Sequence, residues 1–447
     1  DDLIYIRARG LTEYDFFNAR PSSREDAAKM TAKALERAAG GSIDSGGMAA
    51  LKRLEKEFAR ELKDNSGKLN VKGAINGEFI SRSDGIYRNF RYPDGEWEIS
   101  PLFKGDASFF SSPIAFEESL RFTTEAKHPD FFINLGDTRN RFFNRSEWAV
   151  DRAYAVFGSS WYKIEAGRDS LWWGPGYRGT LLLSDNTVFF DMVKLVFNAG
   201  PAKITSVFVQ INDVEKKGLS AHRMDFHILD GLEMGVSEAI IYKPDNADIA
   251  YLNPLIVYHS LKRPDNLVAG IDFDLTIIKN IEIYGEFLSD NIKVAWENQP
   301  NAFGYLVGVY FADAFYLRDC SFRIEFAKTD RWTYNNLPNL KYSSYGTPLG
   351  HWMGPDSSDL FFEIGKWVAE NFKIILKYEV NKTGAADLAS LWKRDDLLAG
   401  AAGRKNTIDL RAQWEALDRV TLSARSIWRG DSKLNEREMQ FNVAWEF

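Results

Sequence analysis

Residues 439–447 read MQFNVAWEF, and their side chains sort into two sets. Met439, Phe441, Val443, Trp445 and Phe447 fall on one face of an extended chain; Gln440, Asn442 and Glu446 fall on the other. Successive side chains of a β-strand point to opposite faces, so the stretch predicts a strand with one apolar and one polar side. The same period recurs upstream. Val71, Gly73, Ile75, Gly77 and Phe79 alternate with Lys72, Ala74, Asn76 and Glu78. Leu267, Ala269, Ile271, Phe273 and Leu275 alternate with Gly270, Asp272, Asp274 and Thr276. Ile281, Ile283 and Phe287 alternate with Glu282, Tyr284 and Glu286, and Ile408, Leu410, Ala412 and Trp414 with Asp409, Arg411, Gln413 and Glu415.

A soluble antiparallel sheet can show such alternation. Its extent decides for another reading, because it runs from residue 68 to 447 with no helical domain between. No stretch approaches 18 consecutive apolar residues, which excludes a helical membrane span. A mean hydropathy of −0.32 does not exclude a transmembrane β-barrel, whose strands hide their apolar content in alternation. Short polar connections, Lys279–Asn280 and Asp418–Arg419, alternate with long ones at 329–358 and 381–405. Short turns at one rim and long loops at the other are the transmembrane-barrel arrangement. At roughly 20–22 residues per strand and connection, the segment makes an all-β antiparallel barrel of about 18 strands, an even number. A last strand that ends on an aromatic residue also resembles the signal read by the barrel-assembly machinery of bacterial outer membranes.

Residues 1–67 read differently and predict a small N-terminal α-helical domain, with the barrel at 68–447. Ser22 and Glu25 fit a capping box after Pro21, followed by Ala27, Ala28, Met30, Ala34 and Leu35. Leu51, Leu54, Phe58 and Leu62 recur at helical spacing after a Gly/Ser loop. Two amphipathic helices there form either a cap on the barrel mouth or a plug.

Composition narrows the function. The 447 residues carry a net charge of −7, which argues against a nucleic-acid partner. A single cysteine, Cys320, excludes an intramolecular disulfide and any multi-thiolate site, and five scattered histidines do not make a zinc cluster. No cofactor and no metal are expected. The polar faces place Glu117, Arg121, Arg223, Asp225, Asp272, Asp274, Glu282, Glu286, Arg411, Glu415 and Arg425 in the lumen. Paired, these charges fill it; unpaired, they line a wet channel. Asp272 and Asp274 are too few for a calcium site. Ser220, His222 and His227 invite a hydrolase reading, but His222 shares the apolar face with Met224 and Phe226, whereas His227 lies with Arg223 and Asp225.

The most unusual segment is GRDSLWWGPGYRGTLLLSDN, 167–186. Gly174, Pro175 and Gly176 force a turn between Trp172, Trp173 and Tyr177, with Arg168 and Arg178 beside them. The plain reading is an interfacial aromatic girdle; the functional one is a sugar site.

Several motifs then fall into a known order: RDSLWWGPG and LLLSDN in that segment, AHRMDF at 221–226, LEMGVSEAIIY at 232–242, YLNPLIVYH at 251–259 and IYGEFLSDN at 283–291. Together they resemble the capsule-assembly Wzi family. The motif residues include Arg168, Trp172, Trp173, Gly174, Pro175, Gly176, Arg223, Asp225 and Glu286. The resemblance covers most of the chain, but 329–405 matches no motif. It implies an outer-membrane barrel with a periplasmic helical bundle. It implies a non-catalytic, lectin-like role that holds capsular or surface polysaccharide at the cell exterior. Outer-membrane lipid and, during insertion, the barrel-assembly machinery are the other partners, and the chain is read as a monomer. A porin or substrate-specific diffusion channel is the alternative; an enzyme would need a convergent acid, base or nucleophile set. Sugar recognition needs exposed aromatic faces and polar groups on outer loops. The candidates are Trp332, Tyr334, Tyr342, Tyr345, His351 and Trp352, with Arg331 and Lys341 to read hydroxyls or carboxylates.

Overall fold

The alternation becomes a ring. The computed structural model describes residues 2–12, 18–20, 24–40, 45–59, 61–63, 68–83, 86–87, 90–91, 97–111, 114–123, 140–142, 146–187, 189–212, 216–243, 249–261, 265–291, 302–335, 340–344, 346–384, 403–417, 419–430 and 435–446. Ser22, Tyr345, Asp418 and Phe447 lie outside the described residues. The first strands are β1 (Lys68–Ser83), β2 (Trp97–Ser111), β3 (Ile114–Thr123), β4 (Ser146–Gly158), β5 (Tyr162–Asp169) and β6 (Phe190–Ala199). There follow β7 (Ala202–Asn212), β8 (Lys217–Leu229), β9 (Leu232–Tyr242), β10 (Asn266–Leu275), β11 (Ile281–Asn291) and β12 (Ala302–Ala312). The last are β13 (Cys320–Thr329), β14 (Ser357–Ala369), β15 (Phe372–Thr383), β16 (Gly403–Leu417), β17 (Val420–Gly430) and β18 (Asn435–Glu446).

Among the described residues these eighteen strands pair antiparallel, each with its chain neighbours, and β1 closes the barrel against β18. A further short strand, Asn140–Phe142, pairs only with β4. Ile75 stands opposite Trp445 and Phe79 opposite Phe441. The predicted lipid face is the outer one: Val71, Ile271, Leu410, Phe441, Val443 and Trp445 are all exposed on the wall. The connections 276–280 and 313–319 lie at one rim, and the described residues that follow β5 and β13 leave the strands at the other.

Three helices pack at the short-turn rim: α1 (Asp2–Ala8), α2 (Arg24–Gly40) and α3 (Ser45–Glu57). The sequence predicted two; α1 is too short to show a helical period. Ala27, Ala34, Leu51, Leu54 and Phe58 form their core, which extends onto Tyr310 and Ala312 of β12. Helix α1 is fastened from both ends. Ala8 O accepts the Asn280 N–H at 2.7 Å, and Tyr5 Oη donates to Asp313 at 2.6 Å. Arg7 reaches into the lumen, 2.6 Å from Asp274 and 3.5 Å from Glu282. Arg53 of α3 binds Asp2 through two 2.9 Å bonds and lies 4.0 Å from the Trp367 ring centroid.

Deeper in the lumen the charges are paired. Arg223 is fully buried between Asp225 at 2.6 Å and Asp272 at 2.5 Å, and donates to Ser237 at 3.2 Å. Gly235 makes room for it, since a Cβ there would stand 2.1 Å from Arg223 Nη2. Arg425 grips Asp409, Lys194 lies 2.6 Å from Glu165, and Lys377 lies 3.0 Å from Glu363. Removing one partner of a buried pair costs roughly 3–5 kcal/mol, because the other charge stays behind. Arg223→Met therefore lowers the temperature at which the barrel loses its folded mobility on gels, and Gly235→Ala does the same by displacing the guanidinium. Unchanged melting in both variants would remove this cluster from the determinants of stability.

Candidate functional site

Two long connections do not leave the barrel; they turn into it. The first follows β5 at residue 170. Trp173 N–H donates to Leu183 O at 2.8 Å and so folds 173–183 into a compact loop. At its tip the glycine pair allows close approach to the wall. Gly174 has φ +135°, and a Cβ there would lie 2.3 Å from Glu286 Oε1. Glu286 of β11 accepts the Gly176 N–H at 2.8 Å and the Leu181 N–H at 2.6 Å. Glu325 of β13 accepts those of Tyr177 at 2.6 Å and Arg178 at 2.9 Å, together with the Tyr284 hydroxyl at 2.8 Å. Two wall carboxylates thus supply four acceptors to residues 176–181, which lie outside any strand ladder. Tyr177 Oη donates to Glu363 at 2.9 Å, Arg178 binds Glu379, and Arg323 lies 4.2 Å from the Tyr177 ring centroid.

From the opposite rim, residues 18–20 meet this loop in the lumen. Ala19 pairs with Trp173 and Arg20 with Trp172, and Gly174 N–H donates to Asn18 O at 2.8 Å. The second inward connection joins β13 to β14. Tyr334 Oη donates to Leu181 O at 2.6 Å and accepts the His351 N–H at 3.0 Å. Ser184 N–H donates to Leu349 O at 2.8 Å, and Asn186 Nδ2 to Pro348 O at 2.7 Å. Lys217 and Asn266 hold the Lys341, Ser343 and Leu340 carbonyls at 2.8–3.1 Å. The apolar core of this plug joins Leu171, Trp173, Leu181 and Leu183 to Tyr334, Tyr342 and Leu349. Burial pushes the His351 imidazole down to about 3, with the Arg178 charge acting in the same direction, so the ring is neutral at physiological pH.

These placements correct two sequence expectations. Trp332, Tyr334, Tyr342 and His351 are buried and do not offer exposed faces; Trp352 is half-buried beneath Arg178. Their rings pack the plug because the connection folds inward. Arg331 and Lys341 are partly exposed. Trp173 is buried in the lumen rather than set in an interfacial girdle, and Trp172 lies half-buried under Arg20. Of the other motif residues, Gly174, Gly176, Arg223, Asp225 and Glu286 build plug and lumen. Arg168 instead forms a bidentate 2.8 Å pair with Asp191 on the outer wall. Glu325, Glu363, Glu379 and Asn18 also build the site and were not among the residues expected from the sequence. The carboxylates lie on inward strand positions, so alternation marks them as lumenal but does not name their partners.

A family model described as capsule assembly protein Wzi matches residues 63–440. Among solved structures the chain is similar to Wzi of Escherichia coli, described as an outer-membrane protein involved in group 1 capsule assembly and a carbohydrate-binding β-barrel. The two are 15% identical over 99% of this chain and 96% of that one, with a TM-score of 0.69. It is also similar to OpdK of Pseudomonas aeruginosa, crystallised with vanillate, at 9% identity over 86% and 99% of the chains and a TM-score of 0.52. OpdP of the same organism gives 10% identity over 86% and 92%, with a TM-score of 0.50. At such identities the solved structures speak to the fold alone. No curated protein sequence matches the chain. The family match spans most of the 447 residues, and the chain belongs to the capsule assembly protein Wzi family.

Proposed function

We propose that the protein is a non-catalytic outer-membrane barrel that binds capsular or other surface polysaccharide at its long-loop rim. The observation that carries this reading is the family match over residues 63–440. The plug supports it physically. A lumen crossed by hydrogen-bonded loops is suited to holding a rigid outer surface rather than passing solute. The diffusion-channel reading shares the fold of the Pseudomonas barrels and is separated from this one by conductance.

On this reading the buried rings of Trp332, Tyr334 and Tyr342 form the platform, and Arg331, Lys341 and the half-buried Trp352 face the glycan. Arginine and lysine suit acidic sugars, with the guanidinium fork matched to a carboxylate. The helices α1–α3 then belong on the periplasmic side, because they pack against the short-turn rim.

Three experiments test these statements. Arg331→Ala with Lys341→Ala should reduce retention of the producing strain's own polysaccharide several-fold, each partly exposed charged contact being worth about 0.2–1 kcal/mol. Barrel abundance and heat modifiability should stay unchanged, and full retention would move the site off this connection. In planar bilayers the wild-type protein should show no steady large openings, whereas Glu286→Ala with Glu325→Ala should open the lumen; large steady openings of the wild type would establish the channel instead. A cysteine at position 45, as Ser45→Cys in a Cys320→Ser background, should resist impermeant thiol reagents on intact cells and react after the outer membrane is permeabilised. Labelling of intact cells would reverse the orientation.

A further inference from the structure

Between β9 and β10 the chain turns back along the outside of the barrel. Two short 3-10 turns, Ile249–Leu252 and Tyr258–Leu261, lie against the outer wall. Tyr251 and Tyr258 bury against Ile240, with Tyr242 and Leu267 beside them. Tyr251 packs 4.9 Å from Tyr242 and edge-on to Tyr258 at 6.0 Å.

Beneath this strap lies a polar pair. His222 and Glu238 are register partners on β8 and β9. They point away from the lumen, because the adjacent partners Arg223 and Ser237 are the ones that meet inside. Glu238 Oε2 lies 3.4 Å from His222 Nε2 and accepts the Tyr258 N–H at 2.7 Å. The Tyr258 ring packs against the imidazole, tilted by 50° with the centroids 4.4 Å apart. Ser220, on the same face, donates to Tyr242 Oη at 3.3 Å, so these groups form no Ser/His couple.

The depth of the pair matters. A membrane-spanning strand takes about 9–11 residues. Strand β9 has 11, and Glu238 is the seventh from the short-turn rim. Val236, two residues nearer that rim on the same face, is exposed on the wall, as is its register partner Ile271. Glu238 thus stands within the apolar band, where a charged side chain facing lipid is unfavourable. The strap covers it and turns Leu252, Leu255 and Val257 outward, 52%, 66% and 56% exposed, with Asn253, His259 and Ser260 as its exposed polar residues. Nearer the short-turn rim on the same outer face, Val236, Ile271 and Phe273 are exposed as well.

We propose that residues 249–261 are embedded in the membrane leaflet at the long-loop rim, with Leu252, Leu255 and Val257 against lipid acyl chains and the His222–Glu238 pair shielded beneath Tyr258. The strap is an extension of the lipid-facing wall, not a loop in water. This inference does not depend on polysaccharide binding.

The test uses the full chain in liposomes, in a Cys320→Ser background. Nitroxide labels are placed by Leu255→Cys and, separately, Val257→Cys. Phe441→Cys on the lipid-facing wall and Lys216→Cys in the connection before β8 serve as references. Collision with dissolved oxygen, which concentrates among acyl chains, is compared with collision with a water-soluble nickel chelate. Oxygen should exceed nickel at 255 and 257 as it does at 441, with the reverse at 216. A nickel-dominated label at 255 and 257 overturns the proposal. So does a label shielded from both reagents whose spectrum shows dipolar broadening that vanishes on dilution with unlabelled protein, because the surface would then be occupied by a second copy of the chain.

Discussion

Closure of the sheet on itself is the constraint from which the rest follows. In hydrocarbon, no water satisfies a backbone N–H or C=O, so every spanning strand needs a partner on both sides. An open sheet would leave two edges unpaired. Strand β1 removes both by pairing with β2 from Lys68 to Ser81 and with β18 from Ala74 to Ser83. Closure also fixes register, and register fixes which side of the wall each residue faces. A slip of one residue would send Asn442 and Glu438 into lipid and Ile75, Phe441 and Val443 into the lumen. Since the outer face must be apolar, nearly all the charge of the strands is directed inward.

Concentrated inside, that charge must be compensated, and the molecule does so in two ways. Some carboxylates take a cation: Asp225 and Asp272 share Arg223, and Asp274 takes Arg7 from α1. Others take backbone. Glu286 and Glu325 each bind two N–H groups of the 173–183 loop. The second solution does more than neutralise. Irregular backbone at membrane depth is tolerated only where protein or water satisfies it, and here the wall itself provides the acceptors. Helix α1 and the two inward loops are thereby tied to the same lumenal charges that closure creates.

Much of this was legible in the sequence, and the limit has a physical origin. Alternation is local, so Ile271 and Asp272 announce opposite faces from two adjacent residues. The short turn at Lys279–Asn280 was visible for the same reason, and Asn280 adopts the left-handed backbone such a turn favours. The direction of a long connection is not local. Leu181 finds Glu286 105 residues further on, Tyr177 finds Glu325 148 residues on, and Tyr334 reaches back 153 residues to Leu181. No pattern within 167–186 or 329–358 records those partners. Trp173 therefore reads as interfacial or sugar-facing, and Tyr334 as sugar-facing or packed on the rim. The geometry puts both inside. The change of period near residue 67 is local as well, whereas α1 spans seven residues, too few for a helical repeat to register.

The burial of the motif residues redirects where recognition can occur. Trp173, Gly174, Gly176, Arg223, Asp225 and Glu286 are engaged with other parts of the chain, and a glycan could reach them only by dismantling the plug. Four donors held by two carboxylates, at about 1.5–3 kcal/mol for each charged hydrogen bond, make that costly. Any ligand that leaves the fold intact must meet side chains at the rim above. Buried aromatic rings still matter there, because Tyr334 and Tyr342, stacked 5.8 Å apart, stiffen the connection that carries Arg331 and Lys341. A rigid support lowers the entropy lost when a flexible polymer is held. On the proposed reading, lumenal packing and surface binding are one design: the plug prevents the rim from relaxing, and the rim side chains are left to match a carbohydrate.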